Sequence, residues 1–320
     1  MRAVLYALPM SAFASPPFAK PQEPQTGRYQ WQGYQCTFEA YQPPAGDKRL
    51  PALLLVHPIG VGLARPFWHR FCAAWQQQES SRPIYNPDLL GCGGCDMPQR
   101  PYRPADWAQQ LLSFLQVVVK QPVVLVVQGA LLPVAIELTA LPEARDWVRG
   151  LVLSGPPAWS IVTRETPQWQ QNLSWRLFDS PLGNAFYRYA RREQFLQSFS
   201  QRKLFASQDG VDDEWLAMLE AGSQQMRSRY AVFAFLAGFW RQNYEPQLRQ
   251  IQQPTYVVFG EAASSIDRNS RPETARERLT TYLTCLPHSQ GAIVPGRNVL
   301  PYENTRDFVR SITPFIQTIA

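Results

Sequence analysis

The sequence predicts an α/β fold: a doubly wound, mostly parallel sheet with an inserted helical cap. Three observations carry this. Apolar runs of strand length alternate with amphipathic helical stretches from residue 51 to residue 157, the rhythm of strand–helix–strand units. The alternation lapses over residues 158–250, where aromatic helical stretches dominate and no strand is evident, and it resumes at residues 254–260 (PTYVVFG). Residues 122–139 (PVVLVVQGALLPVAIELT) read as a buried strand, a sharp turn and a helix packed back on the sheet. The implied division is an N-terminal arm at 1–27, a sheet core at 28–157 and 251–320, and a helical cap at 158–250.

Each element has a local reason. Residues 28–42 alternate polar with apolar or aromatic side chains around Gly33, which reads as an antiparallel hairpin. Residues 51–57 (PALLLVH) are continuously apolar, as a strand buried on both faces should be. Residues 66–78 carry Phe67, Trp68, Phe71 and Trp75 at helical spacing, and residues 104–119 carry Trp107, Leu111, Leu112 and Leu115. A strand and a glycine-rich loop occupy residues 83–98. Residues 147–157 form a strand ending in a Gly-Pro turn, and a last strand near 291–296 precedes a closing helix at 305–319.

Composition narrows the function. Hydrophobic residues make up 45% of the 320, enough for a sizeable core. The net charge of +6 comes from scattered arginines, with no basic run and no nucleic-acid motif, so no nucleic-acid partner is expected. Five cysteines are too few and too odd for a disulfide scaffold, and Cys92 and Cys95 have no second pair or histidine to complete a metal site. No metal or cofactor is expected. The apolar, proline-broken start faintly resembles a signal peptide and is read as an arm packed on the body, and no run is long enough to span a membrane.

Three motifs then coincide in order. Residues 57–60 (HPIG) resemble the His-Gly-x-Gly turn that supplies one oxyanion donor in the α/β-hydrolase superfamily. Residues 88–98 (DLLGCGGCDMP) are similar to that family's Asp-Leu-x-Gly-x-Gly-x-Ser-x-x-Pro loop, with Cys95 at the serine place. Residues 122–139 resemble its nucleophile elbow, with Ala135 and Leu138 fixing the register. The chain looks most like the cyanobacterial and plastid branch, near chlorophyll dephytylase and pheophytinase-like proteins.

The resemblance implies a Ser, an acid and a His, and all three places are substituted. Gly129 stands at the nucleophile, Ala263 at the acid, and Arg297 in the histidine stretch at 295–303 (PGRNVLPYE); no histidine follows His288. Loss of a triad costs roughly 10⁶-fold in turnover, which leaves an oxyanion hole that can bind an ester without cleaving it. The retained pocket is expected at His57, Ile59, Gly129, Ala130 and Ser154, with the Ile59 and Ala130 amides as donors. His57, His69 and His288 read as structural. Cys95, Ser154, Ser264 and Ser265 are the loop residues that a displaced nucleophile would use, the alternative being an active dephytylase-like ester hydrolase.

The leading expectation is therefore a catalytically inactive member that binds a protein partner or an apolar, ester-like ligand. Residues 180–205 interleave Phe186, Tyr187, Tyr189, Phe195, Phe199 and Phe205 with five basic residues against Glu193 alone, a pattern suited to a membrane surface, a pigment or a protein partner, or to aromatics packed on the sheet beneath solvated arginines. Residues 230–240 are apolar nearly all round and read as buried in the cap. The resemblance places the protein in the cytoplasm or at the surface of a thylakoid membrane.

Overall fold

The computed structural model describes residues 23–43, 50–78, 81–266 and 272–320. Part of the expected N-terminal arm lies outside these residues. Its last three residues, Gln25, Thr26 and Gly27, belong to the sheet, because the first strand already begins there.

The elements in chain order are β1 (Gln25–Trp31), β2 (Tyr34–Tyr41), β3 (Ala52–Val56), α1 (His69–Gln78), β4 (Ile84–Pro87), α2 (Pro104–Phe114), β5 (Val123–Gln128), α3 (Leu132–Ala140) and β6 (Val148–Ser154). The cap follows as α4 (Trp159–Val162), α5 (Gln168–Phe178), α6 (Pro181–Ala190), α7 (Glu193–Phe199), α8 (Asp213–Ser223), α9 (Arg229–Leu236) and α10 (Glu245–Leu248). The core closes with β7 (Thr255–Gly260), α11 (Ala275–Cys285), β8 (Ser289–Val294), α12 (Leu300–Glu303) and α13 (Thr305–Gln317).

The sheet runs β1-β2-β4-β3-β5-β6-β7-β8. The expected hairpin pairs β1 with β2, and β2 meets β4 antiparallel; every later pairing is parallel. Strands β3 and β5 are buried along their whole length, which is why their sequences are unbroken Val and Leu rather than alternating. Alternate residues feed two cores. Leu54, Leu125 and Leu151 face the layer of α2, α3 and α11, while Leu53, Val124 and Val152 face that of α1 and α13. Strand order reverses between β3 and β5, and in open α/β sheets that is where a ligand crevice forms, at the carboxyl ends. Ile59 and Gly129 follow those two ends.

Two devices tie α8 of the cap to the core. Arg70 on α1 pairs with Asp212 and Glu214 at the start of α8, and the Tyr302 hydroxyl donates to Asp212 at 3.0 Å. Beside this, α8 lies backbone against backbone on the loop after β3. A methyl group on Gly222 would overlap the Gly62 carbonyl, and one on Gly62 would overlap the Leu219 carbonyl. Neither glycine was flagged by sequence pattern, since the contact is purely tertiary.

This contact reverses a familiar rule. Gly to Ala inside a helix ordinarily stabilises by about 1 kcal/mol. Gly222→Ala should instead destabilise by about 1–3 kcal/mol, the usual cost of forcing an extra carbon into a packed site. A thermal melt checks the sign: a raised melting temperature contradicts the close approach.

Candidate functional site

The elbow is built as expected, a strand, a sharp turn at Gly129 and a helix. Strand β5 ends at Gln128, and Gly129 turns the chain with φ +62° into a short 3-10 turn that opens α3. This is the left-handed conformation, which costs a residue with a Cβ about 1–2 kcal/mol and glycine nothing. A Cβ on Gly129 would meet no atom within 4 Å, so a side chain is absent here for reasons other than crowding. The first turn closes from the Leu132 N–H to the Gly129 carbonyl. The Ala130 N–H lies ahead of that bond, among the orphan donors of a helix start. Ile59, after β3, is half-buried.

The residues below the floor are structural. The sequence reading places His57 in the pocket lining, but the structure buries it completely. Its Nδ1 lies 2.8 Å from the Pro58 carbonyl, and its Nε2 accepts the Leu89 N–H at 3.1 Å. These partners assign the proton to Nδ1. Burial pulls its pKa below the ordinary value, against the opposing pull of Asp88. His57 thus ties the turn after β3 to the Asp88 loop and offers no ring edge to a ligand.

The Asp88 carboxylate is itself buried, held by the Arg65 guanidinium, the Arg65 N–H at 2.9 Å and the Gly94 N–H at 2.8 Å. Cys95 closes this loop. Its Sγ accepts from the Thr37 N–H at 3.3 Å and donates to the Asp88 carbonyl at 3.1 Å. Burial raises the Cys95 thiol well above its usual range, and the Cys92 thiol with it. A thiol held protonated is no nucleophile.

The turns after β7 and β8, where the sequence reading expects the acid and the base, are tied to the cap by hydrogen bonds. Ala263 is nearly buried in the turn after β7, its N–H bonded to the Gly260 carbonyl at 2.9 Å. Arg297 follows β8. Its Nε and Nη2 donate to Ser264 Oγ at 2.9 and 2.7 Å, and its Nη1 donates to the Arg202 carbonyl at 2.8 Å and the Phe205 carbonyl at 3.4 Å.

Asn298 continues the pattern. Its Nδ2 donates to the carbonyls of Lys203 (2.7 Å) and Ser264 (2.9 Å), and its N–H to that of Leu204 (3.0 Å). The cap segment they grip is a π turn, Ser200–Leu204, at the end of α7. A helix end leaves carbonyls without intrahelical donors, and Arg297 with Asn298 supplies them. Glu303 completes the clasp by accepting the Arg297 N–H and the Ala206 N–H. Gln128 joins from the elbow, its Nε2 donating to the Asn298 carbonyl at 2.7 Å.

No histidine is offered to Gly129 among the described residues. All three histidines are accounted for: His57 is buried as described, His69 bonds Glu39 at 2.9 Å on the α1 side, and the His288 carbonyl accepts the Thr255 N–H at the amino end of β7. Ser154, in register with Gln128, is buried with no partner for its Oγ among the described residues, and the Gln128 Oε1 is equally unpaired. Ser264 Oγ faces a guanidinium. Ser264 and Ser265 border a cleft of about 480 Å³ lined also by Glu273, Glu277 and Arg278. Of the pocket residues expected from sequence, Gly129, Ala130, Ser154 and Ile59 therefore gather at the carboxyl edge, and His57 lies beneath them. The clasp of Arg297, Asn298, Gln128 and Glu303 was not legible. Its only sequence signal is the odd Arg-Asn pair where a histidine is expected.

This fold and elbow define the class, and the chain belongs to the α/β hydrolase family, which matches over residues 53–311. Among solved structures it is similar to a serine hydrolase involved in carbazole degradation, at 15% identity and TM-score 0.69 over 93% of this chain and 100% of that one. A thermophilic esterase from Thermogutta terrifontis is similar at 17% identity and TM-score 0.67, over 92% and 99%. The enol-lactonase from Burkholderia xenovorans is similar at 14% identity and TM-score 0.68, over 91% and 100%. At these identities the likeness is one of fold. No curated protein matches the sequence.

The buried His57 sets a pH dependence. Its folded-state pKa lies below the unfolded value of about 6.5, so the unfolded chain takes up the proton first. Its contribution to stability is full above about pH 6.5 and is lost as pH falls towards the folded pKa. Melting temperature should therefore drop between pH 7 and pH 5, and His57→Gln should flatten that slope. Parallel slopes in the two proteins contradict the buried neutral imidazole.

Proposed function

We propose that this chain is a non-hydrolytic member of the α/β hydrolase family, one that binds an apolar ligand carrying a carbonyl or carboxylate and does not cleave it. The observation that carries the reading is the clasp. Where hydrolysis needs an imidazole free to take and return a proton, Arg297 is bonded to Ser264 and to two cap carbonyls. Arginine stays protonated and cannot serve as a base. The elbow keeps its open space and its helix-start donor, which suits an oxygen resting on backbone N–H groups. The motif likeness to chlorophyll dephytylase and pheophytinase-like proteins supports tetrapyrrole or phytyl esters as the ligand class, and with it a place at or near a thylakoid surface.

Two assays test this. The native protein should show no turnover of p-nitrophenyl butyrate or chlorophyll above background, yet should bind a phytyl ester, read as quenching of tryptophan fluorescence. Gly129→Ser should fold, with a stability loss of about 1–2 kcal/mol for the left-handed backbone, and remain inactive because no base stands beside the new hydroxyl. Hydrolysis by the native protein that disappears in Ser154→Ala or Cys95→Ala overturns the proposal in favour of a displaced nucleophile.

A further inference from the structure

Helices α5 and α6 carry an apolar stripe on the outside of the cap. On α5, Trp169, Leu173 and Leu177 recur every fourth residue and are 68%, 62% and 56% exposed. On α6, Leu182, Phe186 and Tyr189 follow at steps of four and three and are 71%, 41% and 53% exposed. Steps of three and four place residues on one helix face. The helices meet at a tight corner, where a Cβ on Gly183 would overlap the Phe178 carbonyl and the rings of Phe178 and Phe186 lie 6.2 Å apart. The two stripes therefore adjoin. Single exposed leucines are ordinary, but six large apolar residues on neighbouring helices mark a contact surface.

The charge beside the stripe says what it contacts. Residues 168–192 hold Arg176, Arg188, Arg191 and Arg192 against Asp179 alone, a local excess of three positive charges. Asp179 already accepts from Gln99, and neither Arg176 nor Arg188 forms an ion pair among the described residues. Arg188, Arg191 and Arg192 border an open cleft of about 640 Å³ that Glu193 and Glu220 also line, three positive charges against two.

We propose that this face of the cap docks on a lipid bilayer bearing anionic headgroups. Exposed leucines and Phe186 enter the boundary of the acyl chains, Trp169 and Tyr189 sit at headgroup level, and the arginines meet lipid phosphates. A second copy of the chain is disfavoured on the same face, because a two-fold contact would set one cluster of arginines against the other. The proposal is independent of any ligand above Gly129.

The test is co-sedimentation of the full chain with vesicles of phosphatidylcholine alone and with about a third phosphatidylglycerol. The native protein should partition at least about tenfold more strongly onto the anionic vesicles, with the difference lost at high salt. Arg188→Gln should cut that partition about fivefold, the worth of one arginine at such a surface. Leu173→Ser with Leu182→Ser should cut it about tenfold or more by removing apolar insertion. All three sites are exposed, so these variants should melt as the native protein does, and Val117→Ser, exposed outside the cap, should bind unchanged. Equal sedimentation with both vesicle types, or none with either, overturns the proposal. A dimer in sedimentation velocity that the leucine variants dissolve assigns the face to a second copy and overturns it as well.

Discussion

The guanidinium of Arg297 is the constraint on which the rest of the site depends. A helix end must find donors for its last carbonyls, and the cap's α7 finds them in Arg297 and Asn298 rather than in residues of its own. Charge-assisted hydrogen bonds of this kind contribute about 1.5–3 kcal/mol each when partly shielded from water. The loop after β8 is thereby committed to holding the cap. A catalytic histidine has to change protonation and partners during turnover, and a fixed, always-charged fork can do neither.

The elbow and the clasp are joined structurally. Gly129 adopts a left-handed turn with open space where a Cβ would stand. The turn stays because the strand-to-helix geometry of β5 and α3 needs it, and glycine adopts it without strain. Gln128 then links the elbow to Asn298, so floor, acid loop and base loop share a single hydrogen-bond network. The Asp88 loop and His57 brace the same edge from below, their polar groups satisfied by backbone groups and by the side chains of Arg65, Gln110 and Cys95.

Legibility in the sequence followed the range of the forces involved. Strands β3 and β5 announced themselves as nearly unbroken aliphatic runs because burial on both faces leaves no room for alternation. The elbow was legible because turn chemistry is local: Gly129 sits between a strand and a helix that each declare their own period. Ala263 and Arg297 could be placed by register in the turns after β7 and β8, where the structure has them. What Arg297 does instead could not be, since its partners at 202 and 205 are nearly a hundred residues away. The same holds for Gly62 and Gly222, an ordinary loop glycine and an apparent helix weakness until the backbones are seen to touch. The aromatic-basic stretch at 180–205 was legible as composition, but its face was not: Tyr187 and Phe205 are buried, while Phe186 and Tyr189 point outward and join a stripe on α5 that sequence pattern alone left unremarked.

Hydrogen–deuterium exchange across residues 198–212, in native protein and in Arg297→Ala, tests the clasp most directly. If Arg297 holds the cap where a hydrolase keeps its histidine, the variant should exchange in this segment at least about tenfold faster, the kinetic equivalent of losing its hydrogen bonds. Strands β5 and β6 should keep native protection. Unchanged exchange over 198–212 contradicts the clasp, and with it the proposal that this chain is a non-hydrolytic member of its family.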